Sequence, residues 1–386
     1  MKNVNKVLLS SLIISLAAAV VGCNSGSSSS SGNAAPNVNT LTVPTGFSAS
    51  ATVGTSPVLF NVESGQVALP SAAGYQVVQL PANVAAALSP TAYQTATITG
   101  ASDGSVMISL PTVTYQIIPS TTTSSKAIAS TAESYAITLS TTTSNVVAFG
   151  GSTATSIPAG VVYGGTDGNL YVNTGTGAST TVDYMTACGV SSGDTIENIT
   201  PATYNSSSYY AIGTASGVVC VLSGATGTWT NMSNQAPTTG ANAYNPGNGI
   251  ANLGFYGSGN SLLGFWTAAN SGGNTVYQVN GTFNNGTFTP NAFWNISTNG
   301  NQSNNSGSQT INVSGAPSTI TSTTTDTNGN LWAGSTGGKV YVLRTGSTSW
   351  SYTQLANQTG NTTVYQTTGT GASVTVAGST TVYSAQ

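Results

Sequence analysis

Asp194 and Glu197, three residues apart in SSGDTIENIT, are the one close pair of carboxylates in this sequence. Two carboxyl groups at a fixed separation are what glycoside hydrolysis needs, one as the acid and one as the base or nucleophile. The stretch around them is rich in Ser, Gly and Asp, so two solvated loop side chains account for them more simply. A calcium loop would need an alternating series of oxygen ligands, which is not present. Asp167, Asp183 and Asp326 complete the nearby candidates, but Asp167 and Asp326 occupy turns, where Asp caps its own backbone. There is no histidine, which excludes Ser-His-Asp and Cys-His machinery and imidazole zinc sites. A single arginine, Arg344, cannot form a cluster for a carboxylate-bearing sugar. No catalytic residue, metal or cofactor is therefore expected. Tyr244 and Tyr256, near loops and amid Asn and Ser, join Asp194 and Glu197 as candidates for a ligand-binding face.

Composition narrows the function further. Charged residues make up 3% of the chain, against about 25% in ordinary soluble domains. Beyond Lys2 and Lys6 the basic residues are Lys126, Lys339 and Arg344, set against 8 acidic ones. A chain this poor in cations lacks the footprint for nucleic acid. Its surface must be built from Ser, Thr, Asn, Gln and Gly, as in many secreted and cell-surface β-proteins.

The elements that would position these residues come from a repeated phrase. In DTNGNLWAGSTGGKVYVLR (326–344) Asp, Asn and Gly fill two turns, and branched or aromatic residues fill the runs between them. That is the grammar of β-hairpins. The phrase returns at 161–173 (VVYGGTDGNLYVN), 209–222 (YYAIGTASGVVCVL), 262–280 with a longer turn, and 374–384 in clipped form. Aligning Gly165, Gly213, Gly264, Gly334 and Gly378 gives separations of 48, 51, 70 and 44 residues. Propeller blades run to about 40–50 residues. The longest interval would hold an insertion at 299–315, NGNQSNNSGSQTINVSG. An all-β fold is expected, a β-propeller of about five or more blades. The segment 326–340 is similar to the repeat of the sensor propellers of two-component regulators, D-x-x-G-N-L-W-x-G-T-x-x-G. The segment 209–229, ending LSGATGTW, resembles the repeat of pyrroloquinoline-quinone-type propellers. These resemblances imply an all-β disc with a binding surface on one face; they imply no particular activity.

Residues 1–22 read as an export signal, with Lys2 and Lys6 before an apolar core at 7–21. The core is shorter than the roughly 20 residues of a membrane span. Val20-Val21-Gly22-Cys23 resembles a bacterial lipobox, which implies cleavage before a lipidated, palmitate-bearing Cys23. Asn24 then follows where an inner-membrane retention Asp would stand, which implies an outer-membrane anchor in a Gram-negative cell. Residues 23–40, with SGSSSSSG, read as a Ser-rich tether. Residues 41–144 form a β-rich N-terminal region, either a separate β-sandwich or divergent first blades, and 145–386 the propeller-like domain. Cys188 and Cys220, the other two cysteines, are either a disulfide closing about 33 residues or two buried thiols.

The functional expectation is a non-enzymatic, lipid-anchored envelope protein that is more often surface-exposed than periplasmic. Its membrane contact is the lipid anchor, its ligand a glycan or a protein, and nucleic acid is excluded. The alternative is a periplasmic assembly factor of the kind found in the outer-membrane barrel assembly machinery. A hydrolase using Asp194 and Glu197 is a third, minor reading.

Overall fold

The computed structural model describes residues 34–41, the strands and one short helix between 59 and 150, and most of 160–386 apart from short loop segments. The export signal, Cys23 and the Ser-rich stretch lie outside the described residues. Among the described residues, no helix is long and apolar enough to cross a membrane.

Strand β1 (Val38–Thr40) stands apart in the sequence order. β2 (Leu59–Asn61), β3 (Gln66–Ser71) and β4 (Gly74–Gln79) form a three-stranded meander, followed by helix α1 (Ala82–Ala87). Four-stranded antiparallel meanders follow. The first is β5 (Thr97–Gly100), β6 (Val106–Leu110), β7 (Val113–Ile118) and β8 (Glu133–Thr138). The next is β9 (Thr143–Gly150), β10 (Gly160–Gly165), β11 (Leu170–Asn173) and β12 (Thr180–Val182), and helix α2 (Met185–Cys188) comes after it. Then come β13 (Ile196–Tyr204), β14 (Ser207–Thr214), β15 (Val219–Ser223) and β16 (Trp229–Asn231). β17 (Ile250–Ser258), β18 (Ser261–Ala268), β19 (Thr275–Asn284) and β20 (Thr287–Asn295) make the next sheet. After a separate hairpin, β21 (Gly300–Ser303) and β22 (Thr310–Val313), come β23 (Ile320–Thr325), β24 (Leu331–Ser335), β25 (Lys339–Leu343) and β26 (Trp350–Gln354). The last sheet takes β27 (Thr362–Gln366), β28 (Ala372–Val376) and β29 (Val382–Ala385), with β1 as its outer strand.

Six four-stranded sheets and the three-stranded one of β2–β4 lie among the described residues. Their first strands stand side by side: β13 packs against β9 and β17, and β23 against β17 and β27. The chain is a β-propeller. The strands described within 41–144 follow the same up-and-down order as the later blades, and β5 and β6 pack against β9 as blade packs on blade. The insertion at 299–315 is not an open loop; it carries the hairpin β21–β22, with Val313 in the seam between the blades of β20 and β23.

The end of the expected tether is part of the fold. Val38, Asn39 and Thr40 pair with Ala385, Ser384 and Tyr383, and Asn37 and Gln386 exchange backbone bonds of 2.9 and 2.8 Å. The ring is thus closed by its two ends. The Thr353 hydroxyl of β26 donates to the Pro36 carbonyl, which fixes this strand to the preceding blade as well.

Each repeated phrase of the sequence is the second and third strand of a blade: β10–β11, β14–β15, β18–β19, β24–β25 and β28–β29. Register corrects the alignment within them. Gly213 lies opposite Asn198 and Val219, and Gly334 opposite Ser322 and Val340. The same place in the β17–β20 blade is held by Thr267, opposite Asn252 and Val276, while Gly264 sits three residues away. Gly334 is required by packing: a Cβ there would stand 2.3 Å from the Thr362 carbonyl oxygen of the next blade.

Alternate residues of each blade fill the seam to its neighbour. Val162, Leu170 and Val172 meet Ile196, Ile199 and Ile212; Trp332, Val340 and Val342 meet Val364, Val374 and Val376. Trp266, Trp332 and Trp350 are wholly buried in these seams. Near the axis the seams are held by neutral polar groups rather than charges. Thr200 donates to the Leu253 carbonyl at 3.1 Å, the Thr267 and Thr323 hydroxyls hydrogen-bond to each other at 2.6 Å, and the Val364 N–H donates to Ser322 at 2.8 Å. A chain with few charged residues can close a large ring because hydroxyl and amide groups satisfy the buried backbone.

Turns between first and second strands, and between third and fourth, share one side of the ring, here the hairpin side. Second-to-third turns and the blade-to-blade links share the other, the connection side.

Candidate functional site

Asp194, Glu197 and Tyr244 come together on the connection side, around the turn Ala215–Val218 between β14 and β15. Asp194 precedes β13. Its carboxylate accepts the Ser216 N–H at 2.9 Å and the Ser216 hydroxyl at 2.5 Å. The Ala215 N–H donates to the Thr195 carbonyl at 2.8 Å beside it. The carboxylate therefore ties the entry of the blade to that blade's own second turn.

Glu197 follows Ile196 at a bulge, where the pairing of β13 with β14 slips by one residue between Ile196 and Asn198. A bulge re-aims a side chain that the pleat would otherwise direct along the sheet. Here the Glu197 carboxyl is brought beside the backbone N–H of Ile250, the first residue of the next blade. Its Oε2 lies 2.3 Å from where a Gly249 Cβ would stand, and Gly249 has φ of +107°, so glycine alone leaves room. Partial burial, and then the nearby Asp194, hold the Glu197 carboxyl above the usual glutamate value; the Ile250 N–H pulls the other way. The β23 bulge repeats the device, since Thr321 donates to the carbonyl of Thr362, the first residue of its next blade, at 2.5 Å.

Tyr244 is a packing residue. It lies edge-on to Trp266, Tyr277 and Phe293, at ring separations of 6.3, 5.1 and 5.8 Å. Its hydroxyl donates to the Gly217 carbonyl, and burial pushes it well above the usual tyrosine value. Tyr184 does the same one blade earlier, donating to the Gly168 carbonyl at 2.8 Å. Both tyrosines follow the outer strand of a blade and cap its second turn. Tyr184 could be found from sequence only by comparing linkers, because nothing in DYMTAC announces a cap. Tyr256 does not join this group. It lies on β17 opposite Leu263, toward the hairpin side.

The two turn aspartates sit on opposite sides of the ring. Asp167, in the β10–β11 turn, accepts from the Asn169 N–H at 3.0 Å, the Asn169 amide at 2.9 Å and the Tyr171 hydroxyl at 2.5 Å. Burial pushes its carboxyl up, but the bonds from Tyr171 and Asn169 outweigh this and hold it below the usual aspartate value. Asp326, in the β23–β24 turn, is only 7% exposed. Its Oδ1 accepts the N–H groups of Asn328 and Asn330 at 2.9 and 3.0 Å. Its Oδ2 accepts the Asn330 amide, the Trp332 indole and the Gly371 N–H of the next blade, each at 3.0 Å.

Cys188 and Cys220 form a disulfide, with Cα atoms 6.0 Å apart. It joins α2 to β15, both sulfur residues are 1% exposed, and the Asn231 amide donates to the Cys188 carbonyl. Among the described residues, no group of three His, Cys, Asp or Glu is placed to hold a metal ion.

No family profile and no curated relative matches this chain. Solved structures similar to it include YCF48 from Cyanidioschyzon merolae, at 14% identity and a TM-score of 0.49, covering 90% of this chain and 98% of that one. A catalytically inactive virginiamycin B lyase from Staphylococcus aureus, bound to quinupristin, is similar at 11% identity and a TM-score of 0.47, covering 91% and 99%. The β-propeller domain of Nup133 from Vanderwaltozyma polyspora is similar at 8% identity and a TM-score of 0.41, covering 90% and 97%. At these identities and TM-scores the likeness carries no statement about activity.

Proposed function

We propose that this chain is a lipid-anchored protein of the bacterial cell envelope whose propeller is a non-enzymatic binding scaffold, displayed outside the cell. One observation carries the reading. Asp167, Asp194, Glu197 and Asp326, the side chains best suited to chemistry, each hold a turn or a seam of the ring. Of the five candidate carboxylates these four serve the architecture and the fifth, Asp183, stands exposed, which leaves the loop surfaces, built of Asn, Ser, Thr and Tyr, to contact a glycan or a protein. The buried Cys188–Cys220 disulfide supports export, since such bonds persist in oxidising compartments. Hydrolysis by Asp194 and Glu197 is the weaker reading, because both Asp194 oxygens already accept bonds from Ser216.

The test is protease shaving of intact cells followed by a blot. Loss of the protein without lysis supports surface display. Full protection until the outer membrane is opened refutes it and favours a periplasmic assembly factor. A specific observation keeps that second reading: blade-like meanders run from Leu59 to Ala385, so a ring occupies nearly the whole chain after the tether, as that reading requires.

A further inference from the structure

We propose that the hairpin side of the ring faces the lipid bilayer that holds the anchor, and that the connection side faces away from it. The inference rests on the lipid-anchor reading of Cys23. Val38 at the start of β1 pairs with Ala385, Ala385 with Ala372, and Ala372 with Gln366, so these residues form one row across the last blade. That row adjoins the turn between β27 and β28, whose Gly371 is bonded to Asp326 in the first turn of the preceding blade. The chain therefore enters the ring on the hairpin side.

The length of chain before this point is short. From Cys23 to Ala34 is eleven residues, with a root-mean-square span of about 17–20 Å for a Ser/Gly-rich coil. The nine-residue β17 alone rises about 30 Å from one side of the ring to the other. A tether of that reach leaves the hairpin side against the bilayer and does not carry the connection side down to it.

Charge favours the same orientation. Asp167, Asp183, Asp194 and Glu197 stand at connection-side ends of their strands or linkers. Lys339, at the start of β25, is the one described cation among them; Arg344 in the β25–β26 turn and Glu133 at the start of β8 offset each other on the hairpin side, where the Asp326 carboxylate is turned into its own turn. A surface bearing anionic lipid repels the first side and accepts the second.

Two cysteine variants on one blade test the proposal. Asn328 and Thr336 are both exposed and lie beyond opposite ends of the five-residue β24. Cys188 and Cys220 are bonded to each other, and on the lipid-anchor reading Cys23 carries acyl chains, so no native thiol competes. Lipidated Asn328→Cys and Thr336→Cys proteins are placed in anionic liposomes and treated with a bulky polyethylene-glycol maleimide, each normalised to its labelling in detergent. Loss of labelling at position 328 with full labelling at 336, and recovery at 328 when twenty Gly/Ser residues lengthen the tether, is the expected result. Equal labelling at both positions with the native tether, or protection at 336 instead, overturns the proposal. Failure of the protein to float with the liposomes would instead refute the lipid anchor itself.

Discussion

Replacing Asp326 by Asn separates a turn cap from a seam clamp. If the carboxylate only closed its own turn, an Asn would serve nearly as well, since both residues make the same local bond to the backbone. The structure asks for more. Oδ1 takes two backbone N–H groups, and Oδ2 takes the Asn330 amide, the buried Trp332 indole and the buried Gly371 N–H of the next blade. All five partners are donors. An amide in this place turns one oxygen into an NH2 group facing either Trp332 and Gly371 or the two backbone N–H groups. Two donors at the Oδ1 position, or three at the Oδ2 position, then lose their acceptor, at about 1–3 kcal/mol for each one that is buried. The expected loss is about 2–4 kcal/mol for Asp326→Asn, not far short of Asp326→Ala. Urea unfolding of the purified protein, followed by tryptophan fluorescence and by circular dichroism, measures it. A change below about 0.5 kcal/mol for Asp326→Asn, comparable to a neutral surface substitution, would refute the clamp and return Asp326 to an ordinary turn residue.

Other outcomes follow from the same contacts. Removing the disulfide as Cys188→Ala with Cys220→Ala should cost about 3–4 kcal/mol, from a sequence separation of 32 residues; urea midpoints unchanged from wild type would contradict this. Gly334→Ala, which drives a methyl into the Thr362 carbonyl, should cost about 1–3 kcal/mol by overpacking the seam, whereas wild-type stability would mean that the two blades can part freely. For Glu197 the folded carboxyl is held above its ordinary value. Its contribution is therefore fully present below the usual glutamate value and is lost as pH rises through the folded one. Glu197→Gln should flatten the fall in stability as pH rises from the usual glutamate value to the folded one, and an undiminished slope in the variant would show that another group is responsible.

Much of the ring was legible because hairpins are local. A turn of Asp, Asn and Gly between alternating apolar runs specifies two strands without help from elsewhere, and five such phrases coincide with β10–β11, β14–β15, β18–β19, β24–β25 and β28–β29. Their glycines misled where each answered to a different neighbour. Gly334 makes room for Thr362, while Gly264 would place a Cβ against Phe255 and Val279, so the two are not the same position. The carboxylates were visible as candidates and their task was not. Asp194 meets Ser216 across 22 residues, and Glu197 meets Ile250 through a bulge that no spacing rule foresees.

By itself, the sequence determined an all-β chain of repeated hairpins, a charge-poor surface without histidine, and two cysteines free to pair. These depend on residue type and on neighbours within one turn. Only the tertiary structure decided that Val38–Thr40 closes the ring against Tyr383–Ala385, that Tyr244 caps the β14–β15 turn, and that Asp194 and Asp326 tie separate turns together. Each of those outcomes pairs groups distant in sequence, and their partners exist only once neighbouring blades have packed.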